Sequence, residues 1–318
     1  MTSATALPGP ATTAGPGGTR RPQRASRRRL AAGPSFLYAV PALVMFVAFA
    51  IIPLVVVSGL SFTNWDGIGV ITPAGLNNWI AALGDPETWH SLGLTLLVMV
   101  LCWVIQTPLA LLLGVFTAGK QKYRAVFAVL FFVPLLISSA AIAIAWRALL
   151  DPNFGLGASS GLRWLARDWL GNPDTVLYVV VIIIAWQYVP FHALLYQGGV
   201  QQIPESMYEA ATLDGAGRIA QFFHITLPQL RNTVITSSTL ILVGSLTYFD
   251  IVYVLTQGGP GTSTRILPLQ MYLTGFVGSN MGAASVLAII LVALGLILSL
   301  TLTRLTGFSR MTSDLEGA

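Results

Sequence analysis

The sequence has 318 residues, of which 54% are hydrophobic and only 9% charged, and its formal net charge is +5. An average soluble domain is about 25% charged, so this composition excludes a water-soluble globular protein. It favours an all-α membrane protein instead.

Six apolar blocks follow one another along the chain, and each is long enough for a membrane-spanning helix of about 20 residues. Membrane strands are shorter and alternate apolar with polar residues, so these continuous blocks favour helices. The blocks are Phe36–Leu60, Leu92–Phe116, Ala125–Leu149, Val176–Tyr196, Thr233–Leu255 and Gly282–Leu302.

Residues 1–35 precede the first block and are rich in Pro, Gly, Ala, Ser and Thr, with six arginines between Arg20 and Arg29. Such a segment has too little apolar surface to fold alone, and the next block is too long for a secretion signal. We predict a disordered basic cytoplasmic tail, followed by an uncleaved first transmembrane helix over residues 36–60.

Basic residues set the orientation, because Lys and Arg of short loops stay in the cytoplasm. The side of the basic tail also carries Lys120, Lys122, Arg124, Arg218, Arg231, Arg304 and Arg310. The opposite side carries Arg147, Arg163, Arg167 and Arg265. We therefore predict that both termini face the cytoplasm.

The fourth block contains the polar and aromatic run "AWQYVPFH". Polar groups at bilayer depth are costly unless they face a cavity or a partner. Trp186, Gln187 and Tyr188 suit a pathway for a polar solute, because aromatic rings stack on flat apolar faces and amides bond hydroxyls. Alternatively, Gln187 and His192 only bond to a neighbouring helix.

The next cytoplasmic loop contains the charged run "IPESMYEAATLDGAG". Pro204 suits the first turn of a helix, Glu205 and Glu209 suit its positive end, and Gly215 suits the C′ position that ends it. Met207, Ala210, Ala211 and Asp214 share one side of this helix, and the small alanines allow a close partner. A docking helix fits better than a loop resting on anionic lipid, which favours Lys and Arg.

A second short helix is expected from Arg218 to about His224, ending near Pro228. The fifth block then offers Ser245 and Tyr248 as pathway residues, with Asp250 near its outer end. The alternative for Asp250 is a carboxylate that reaches interfacial water or pairs with an arginine. Beyond the turn-rich "GGPG", the segment "RILPLQMYLTGF" is expected to lie as an outer interfacial helix.

The stretch "EAATLDGAGRIAQFFHITLP" resembles the EAA motif of binding-protein-dependent ABC importer permeases. Its motif positions, with the spacing intact, are Glu209, Ala210, Ala211, Gly215, Ile225, Leu227 and Pro228. The resemblance implies a coupling helix that sits in a cleft of a cytoplasmic ATPase. The residues expected at this joint are Glu205, Tyr208, Glu209, Ala210, Ala211, Asp214, Gly215, Leu227 and Pro228.

Four other stretches resemble the sugar branch of that family, the maltose- and glycerol-3-phosphate-type permeases. They are "LSFTNWDG", "GLNNW", "AWRALLDPNFG" and "FDIVYVLTQGGPGTST". The large inserted domain of the maltose-type member is missing here, since the third outer loop is only Asp151–Thr175. The resemblance implies a type I importer permease with a core domain over 88–305, a coupling loop over 200–230 and a cytoplasmic tail over 306–318.

The implied protein is not an enzyme, and the chain has no G-x-x-x-x-G-K-[ST] nucleotide motif. The expected partners are a second permease, a cytoplasmic ATPase dimer, an extracytoplasmic sugar-binding protein, the sugar and bilayer lipid, without nucleic acid. No cofactor or metal is expected, and the location is the bacterial cell membrane. Two alternatives stay open: a non-sugar cargo such as a polyamine or phosphate ester, and an ion-driven secondary transporter.

Overall fold

The computed structural model describes residues 36–119, 124–159 and 166–306. The predicted tail over 1–35 and nearly all of the tail over 306–318 lie outside these residues. The same is true of Lys120, Lys122, Arg163 and Arg310.

The chain divides into two compact units at Ile51. The described part of the first unit is a 3₁₀ turn, Phe36–Ala39, followed by α1, Val40–Phe46, and a π turn, Val47–Ile51. Neither α1 nor the π turn contains a buried residue, which suits a segment in contact with lipid.

The second unit begins at Ile52, and its described part is helical apart from one small hairpin. Its first elements are α2 (Ile52–Leu60), β1 (Thr63–Asn64), β2 (Thr72–Pro73), α3 (Asn77–Gly84), α4 (Pro86–Ala118), α5 (Arg124–Leu136), α6 (Ser139–Leu149) and α7 (Leu156–Ser159). The later elements are α8 (Pro173–Gln201), α9 (Glu205–Leu213), α10 (Arg218–Gln221), α11 (Leu227–Gln229), α12 (Arg231–Gly244), α13 (Phe249–Thr256), α14 (Leu267–Tyr272) and α15 (Met281–Thr306).

Four helices of the described chain are long and apolar enough to cross a membrane, namely Val40–Leu60, Pro86–Ala118, Pro173–Gln201 and Met281–Arg304. The third and fifth predicted blocks are not single helices. The third bends by 107° between α5 and α6, and the fifth bends by 49° near Tyr248. The number of candidate spans is therefore four, or up to six if each bent pair is one span.

The centre of the second unit is the contact between α4 and α8, the most extensive helix pair in the described chain. Both helices start with a proline after a capping side chain, Asp85 for α4 and Asn172 for α8. A methyl group added at Gly114 would lie 2.6 Å from Cβ of Tyr196, so glycine lets the two backbones approach closely. The 33 residues of α4 span about 50 Å at about 1.5 Å per residue.

The main hydrophobic core lies along the N-terminal halves of this pair, where α6, α13 and α14 join it. Its fully or nearly fully buried members include Val98, Ile142, Val180, Ile184, Ile251, Leu255 and Leu269. Within a bilayer such side chains contribute through van der Waals packing, because lipid tails are as apolar as the core itself. This core fixes where the polar residues of α8 and α13 lie.

The segment "RILPLQMYLTGF" departs from the expected interfacial helix. Its first turn is buried, with Leu267 and Leu269 fully inaccessible. The Thr95 hydroxyl of α4 accepts a hydrogen bond from the Leu267 N–H at 2.8 Å, and Arg265 forms an ion pair with Glu87. The first half of the segment is therefore packed inside the unit, whereas Phe276 at its end is 67% exposed.

The hairpin is the one departure from an all-α fold within the described residues. Its two strands pair antiparallel, with Thr63 opposite Pro73 and Asn64 opposite Thr72. Asn78 of α3 donates to the Thr63 carbonyl at 2.8 Å, so the hairpin is fixed to the following helix.

Candidate functional site

The short helix α9 lies where the charged run predicts it, over Glu205–Leu213. Pro204 has an extended backbone, with φ −58° and ψ 131°, and directly precedes the helix instead of entering its first turn. The prediction was therefore wrong by one residue at this end. Glu205 occupies the first turn, where a carboxylate stabilises the helix dipole.

The end of α9 is fixed by the geometry that Gly215 allows. Gly215 has φ +81°, the left-handed region that glycine enters without strain. The Ala216 N–H bonds the Ala211 carbonyl at 2.8 Å, and the Gly215 N–H bonds the Thr212 carbonyl at 3.1 Å. These are the two bonds of a Schellman motif, so the predicted stop at Gly215 is confirmed.

Side-chain hydrogen bonds tie α9 to the segment that follows it. The Tyr208 hydroxyl lies 2.9 Å from the Thr226 hydroxyl. Gln221 donates from Nε2 to the Thr212 hydroxyl at 3.1 Å and to the Ala216 carbonyl at 3.0 Å. The loop after α9 therefore folds back against this helix. Sequence analysis did not identify Gln221 and Thr226 as residues of this contact.

The exposed face of the segment from α9 to α10 carries both charged and apolar residues. Glu209, Ala210 and Asp214 are exposed, as the docking hypothesis requires. Leu213 is 90% exposed and Ile219 77% exposed, although neither was predicted to take part. Exposed apolar side chains on α9 and α10, beside the exposed charges, suit a contact surface for a partner.

The end of the second short helix differs from the prediction. The chain passes from α10 through a π turn, Phe222–Thr226, into α11, Leu227–Gln229. The Leu227 N–H reaches back five residues to the Phe222 carbonyl. Pro228 therefore lies inside a continuing helical segment and does not end it. Leu227 is half-buried and Pro228 exposed.

The predicted pathway residues of α8 lie in different environments. Trp186 is 44% exposed and lines an apolar cavity of about 550 Å³ between α4, α5 and α8. Its ring meets that of Trp146 edge to face, with centroids 5.6 Å apart. Trp186 is thus an accessible aromatic surface.

Gln187 and His192 instead bond to neighbouring segments, as the alternative interpretation states. Gln187 is buried and donates from Nε2 to the Ser139 hydroxyl at 3.1 Å. His192 is buried too, and its Nδ1 lies 3.0 Å from the Ser237 hydroxyl of α12. These contacts hold α8 to α6 and to α12.

The structure brings Tyr188 and Tyr248 together, with ring centroids 5.4 Å apart. Tyr248 is buried at the bend between α12 and α13. Ser245 is also buried, and its hydroxyl donates to the Ile241 carbonyl of its own helix at 2.6 Å. Gln106, which sequence analysis missed, is a fully buried amide on α4 beside Tyr248.

Asp250 lies apart from this pair, exposed in the first turn of α13. A carboxylate there stabilises the start of the helix. The predicted coupling residues therefore lie together around α9 to α11. The predicted pathway residues are spread over the cavity beside Trp186, the contact between Tyr188 and Tyr248, and the exposed Asp250. Among the described residues, no group of three or more His, Cys, Asp or Glu is placed to hold a metal ion.

Comparison with known proteins gives one family and several relatives. Residues 106–307 match the model of the "Binding-protein-dependent transport system inner membrane component" family. The probable ABC transporter permease protein YurN of Bacillus subtilis is 36% identical over 272 residues, which cover 83% of this chain and 93% of that protein.

Two further relatives have names that specify a cargo. The trehalose/maltose transport system permease protein MalF of Thermococcus litoralis is 30% identical, covering 81% of this chain and 89% of its own. The arabinooligosaccharides transport system permease protein AraP of Bacillus subtilis is 28% identical, covering 86% and 88%.

Solved structures share the fold at low sequence identity. A chain of a bacterial ABC transporter for import of the acidic polysaccharide alginate superposes with a TM-score of 0.75. It is 20% identical, and the match covers 87% of this chain and 96% of that one.

Proposed function

This chain belongs to the family of binding-protein-dependent transport system inner membrane components, and we propose that it is the permease subunit of an ATP-driven sugar importer. It is a multi-pass inner-membrane protein of a transport system. The cargo is a mono- or oligosaccharide. The similarity over more than 80% of the chain to permeases named for trehalose, maltose and arabinooligosaccharides carries this proposal.

The chain crosses the membrane six times, with both termini in the cytoplasm. The support is the distribution of basic residues, together with four long apolar helices and two bent pairs in the described chain. In this arrangement a bent pair is one broken span. The first helix occupies 36–60, and the permease core occupies 88–305.

The segment from α9 to α11 is the contact with the ATPase, which is a separate subunit. Its contact residues are Glu205, Tyr208, Glu209, Ala210, Ala211, Asp214, Gly215, Leu227 and Pro228. The exposed Glu209 and Leu213 support this role, and the bonds of Tyr208 and Gln221 let the segment move as one body. Closure of the ATPase dimer then shifts this body, and through it α8 and α12.

The sugar passes along a face that includes Trp186, whose ring is accessible beside a cavity. Gln187, Tyr188, Ser245, Tyr248 and Asp250 complete the proposed pathway set. Since Gln187, Ser245 and Tyr248 are buried within the chain, they become accessible to sugar only in a second conformation. Coupling between two sites requires such a pair of states.

The importer contains two permeases, of which this chain is one, and the pathway lies between them. An extracytoplasmic binding protein delivers the sugar, and a cytoplasmic ATPase dimer supplies the free energy.

Uptake of labelled sugar by cells that express the whole importer tests this function. We expect trehalose, maltose or an arabinooligosaccharide to compete for uptake, and uptake to stop when the gene for this chain is deleted. If no sugar competes while a polyamine or a phosphate ester does, the sugar assignment is wrong. If a protonophore stops uptake at constant ATP, the importer is driven by an ion gradient.

A further inference from the structure

A polar cleft of about 430 Å³ lies between the β1–β2 hairpin and the start of α15. This cleft is distinct from the coupling segment and from the pathway residues. Its volume falls in the range of roughly 300–1,000 Å³ that is common for small-molecule sites. Its lining includes Asn64, Trp65, Asp66, Val70, Ser279 and Asn280.

The walls of the cleft are held together by hydrogen bonds. The Met281 N–H at the start of α15 donates to the Trp65 carbonyl at 2.9 Å. The Trp65 indole N–H donates to the Gly69 carbonyl at 3.1 Å, which fixes the ring. The cleft is therefore formed by the fold before any ligand arrives.

Several polar groups of the cleft have hydrogen-bonding capacity left for a ligand. Asp66 accepts the N–H groups of Ile68 and Gly69 through Oδ1, at 2.9 and 2.6 Å, so its Oδ2 can accept from a ligand. Asn280 accepts the Ala283 N–H through Oδ1, and its amide group remains a donor. One aromatic ring among amides and a carboxylate is the chemistry that binds a sugar, by stacking on the ring and bonding the hydroxyls.

The charge of the cleft selects between kinds of sugar. Hydrogen bonds from the backbone N–H groups of Gly69 and Ile68 lower the pKa of the Asp66 carboxyl group. Asp66 therefore stays ionised at neutral pH and repels an acidic sugar such as a uronate.

We propose that this cleft is an extracytoplasmic binding site for a neutral oligosaccharide, held by Trp65 and Asp66 before it enters the membrane. The inference rests on the proposed sugar transport and on the proposed orientation. The test below distinguishes this sugar from a different occupant of the cleft, a side chain of the binding protein.

The chain offers a well-matched pair of positions for a thiol-protection experiment. Its one cysteine, Cys102, is fully buried. Val70 lines the cleft and is 86% exposed, whereas Ile68, in the same loop, is 96% exposed and is not part of the lining. Val70→Cys and Ile68→Cys each place one reactive thiol on the hairpin. The whole importer, in nanodiscs without binding protein, is labelled with a maleimide, and the label on this chain is measured.

The probes are maltotriose, trehalose and arabinotriose as neutral sugars, and trimannuronate as an acidic one. A neutral probe at about ten times its Kd should slow labelling of Val70→Cys about tenfold, because only about a tenth of the clefts stay empty. Labelling of Ile68→Cys should not change, and trimannuronate should protect neither position. Adding Trp65→Ala to Val70→Cys should abolish protection. Trp65→Phe, which keeps an aromatic ring but loses the indole bond to Gly69, should keep part of it.

Two outcomes would overturn the proposal. One is that no neutral probe protects Val70→Cys while sugar uptake by the same importer is normal. The other is that only the sugar-free binding protein protects, at both positions, which makes the hairpin a protein-docking surface. If a neutral sugar protects Val70→Cys but no sugar competes in the uptake assay, the cleft site is supported and the proposed cargo is refuted. Failure of the site and failure of the proposed function therefore give different results.

Discussion

The hydroxyl of Tyr208 on α9 lies 2.9 Å from the hydroxyl of Thr226 in the π turn, 18 residues further along the chain. Thr226 is buried and Tyr208 half-buried. This bond joins the first proposed contact helix to the segment that leads into α12. In the proposed coupling, it is a specific point at which movement of α9 would reach α12.

Removing this bond should weaken coupling between ATP hydrolysis and uptake. Tyr208→Phe keeps the ring and deletes the hydroxyl, and a lost bond of this kind costs about 0.5–1.5 kcal/mol. We expect a several-fold fall in sugar-stimulated ATP hydrolysis by the reconstituted importer. Thr226→Val should have a similar effect, and the double variant should be no worse than either single one. Fully additive losses would mean that the two residues do not act together.

Replacing Gly215 should disturb the end of α9 through the backbone alone. A side chain there meets no atom within 4 Å, but Gly215 has φ +81°, and an alanine in the left-handed region costs roughly 1–2 kcal/mol. We expect Gly215→Ala to lower coupled uptake. Gly217→Ala is the matched control, since Gly217 also has open space around it and has φ −71°. Equal losses in both variants would contradict the argument.

Reversing the charge of Glu209 should release the ATPase. Glu209 is exposed on α9, so Glu209→Lys should fold normally and change only the contact. We expect the ATPase to be lost when the permease is purified by affinity tag. Gln229→Lys adds a positive charge at another exposed position of the same segment and should retain the ATPase. Normal co-purification and uptake with Glu209→Lys would refute the proposed contact.

The orientation can be tested with the same kind of thiol labelling, because Cys102 is buried. A membrane-impermeant maleimide should label Ile68→Cys in intact cells. It should label Leu213→Cys only after the cells are permeabilised. Both positions are at least 90% exposed, so access to the thiol depends on the side of the membrane. The reverse pattern would invert the proposed topology.

Tight packing between α4 and α8 predicts a marked difference between two glycines of α4. Gly114→Ala places a methyl group 2.6 Å from Tyr196 Cβ and 2.7 Å from the Ala193 carbonyl oxygen. Such overpacking typically costs about 1–3 kcal/mol. Gly93→Ala meets no atom within 4 Å and should be neutral or stabilising. The thermal unfolding temperature of the purified importer measures both variants, and an equal shift would contradict the packing.

The long helices and the end of α9 could be predicted because their causes are local. Apolar length gives a spanning helix, and a glycine at C′ ends a short one. The bend between α5 and α6 also left a local sign, since the Ser138 hydroxyl caps α6 by accepting the Ala141 N–H. A serine inside an apolar block was a signal that sequence analysis did not use.

Other features depend on contacts between distant segments and leave no local sign. No side chain caps α13 after the bend at Tyr248. Leu267 is buried against Val286 and Leu287 of α15, and Thr95, far away in the sequence, bonds its backbone. The positions of Gln187 and Ser245 within the chain depend likewise on packing. The sequence indicated how far along their apolar blocks Gln187 and Ser245 lie, but not which neighbouring helix each side chain faces.

The π turn over Phe222–Thr226 has a consequence for how the segment tolerates changes in length. Such a turn contains one residue more than an α-helical turn, and each residue of a helix rotates the chain by about 100°. Deleting one residue there would rotate Gln221 about the axis relative to Leu230, which is buried against α8. The Thr226 hydroxyl would then no longer face the Tyr208 hydroxyl, although both side chains would still be present. The number of residues in this turn therefore sets the rotation of α9 and α10 relative to the start of α12.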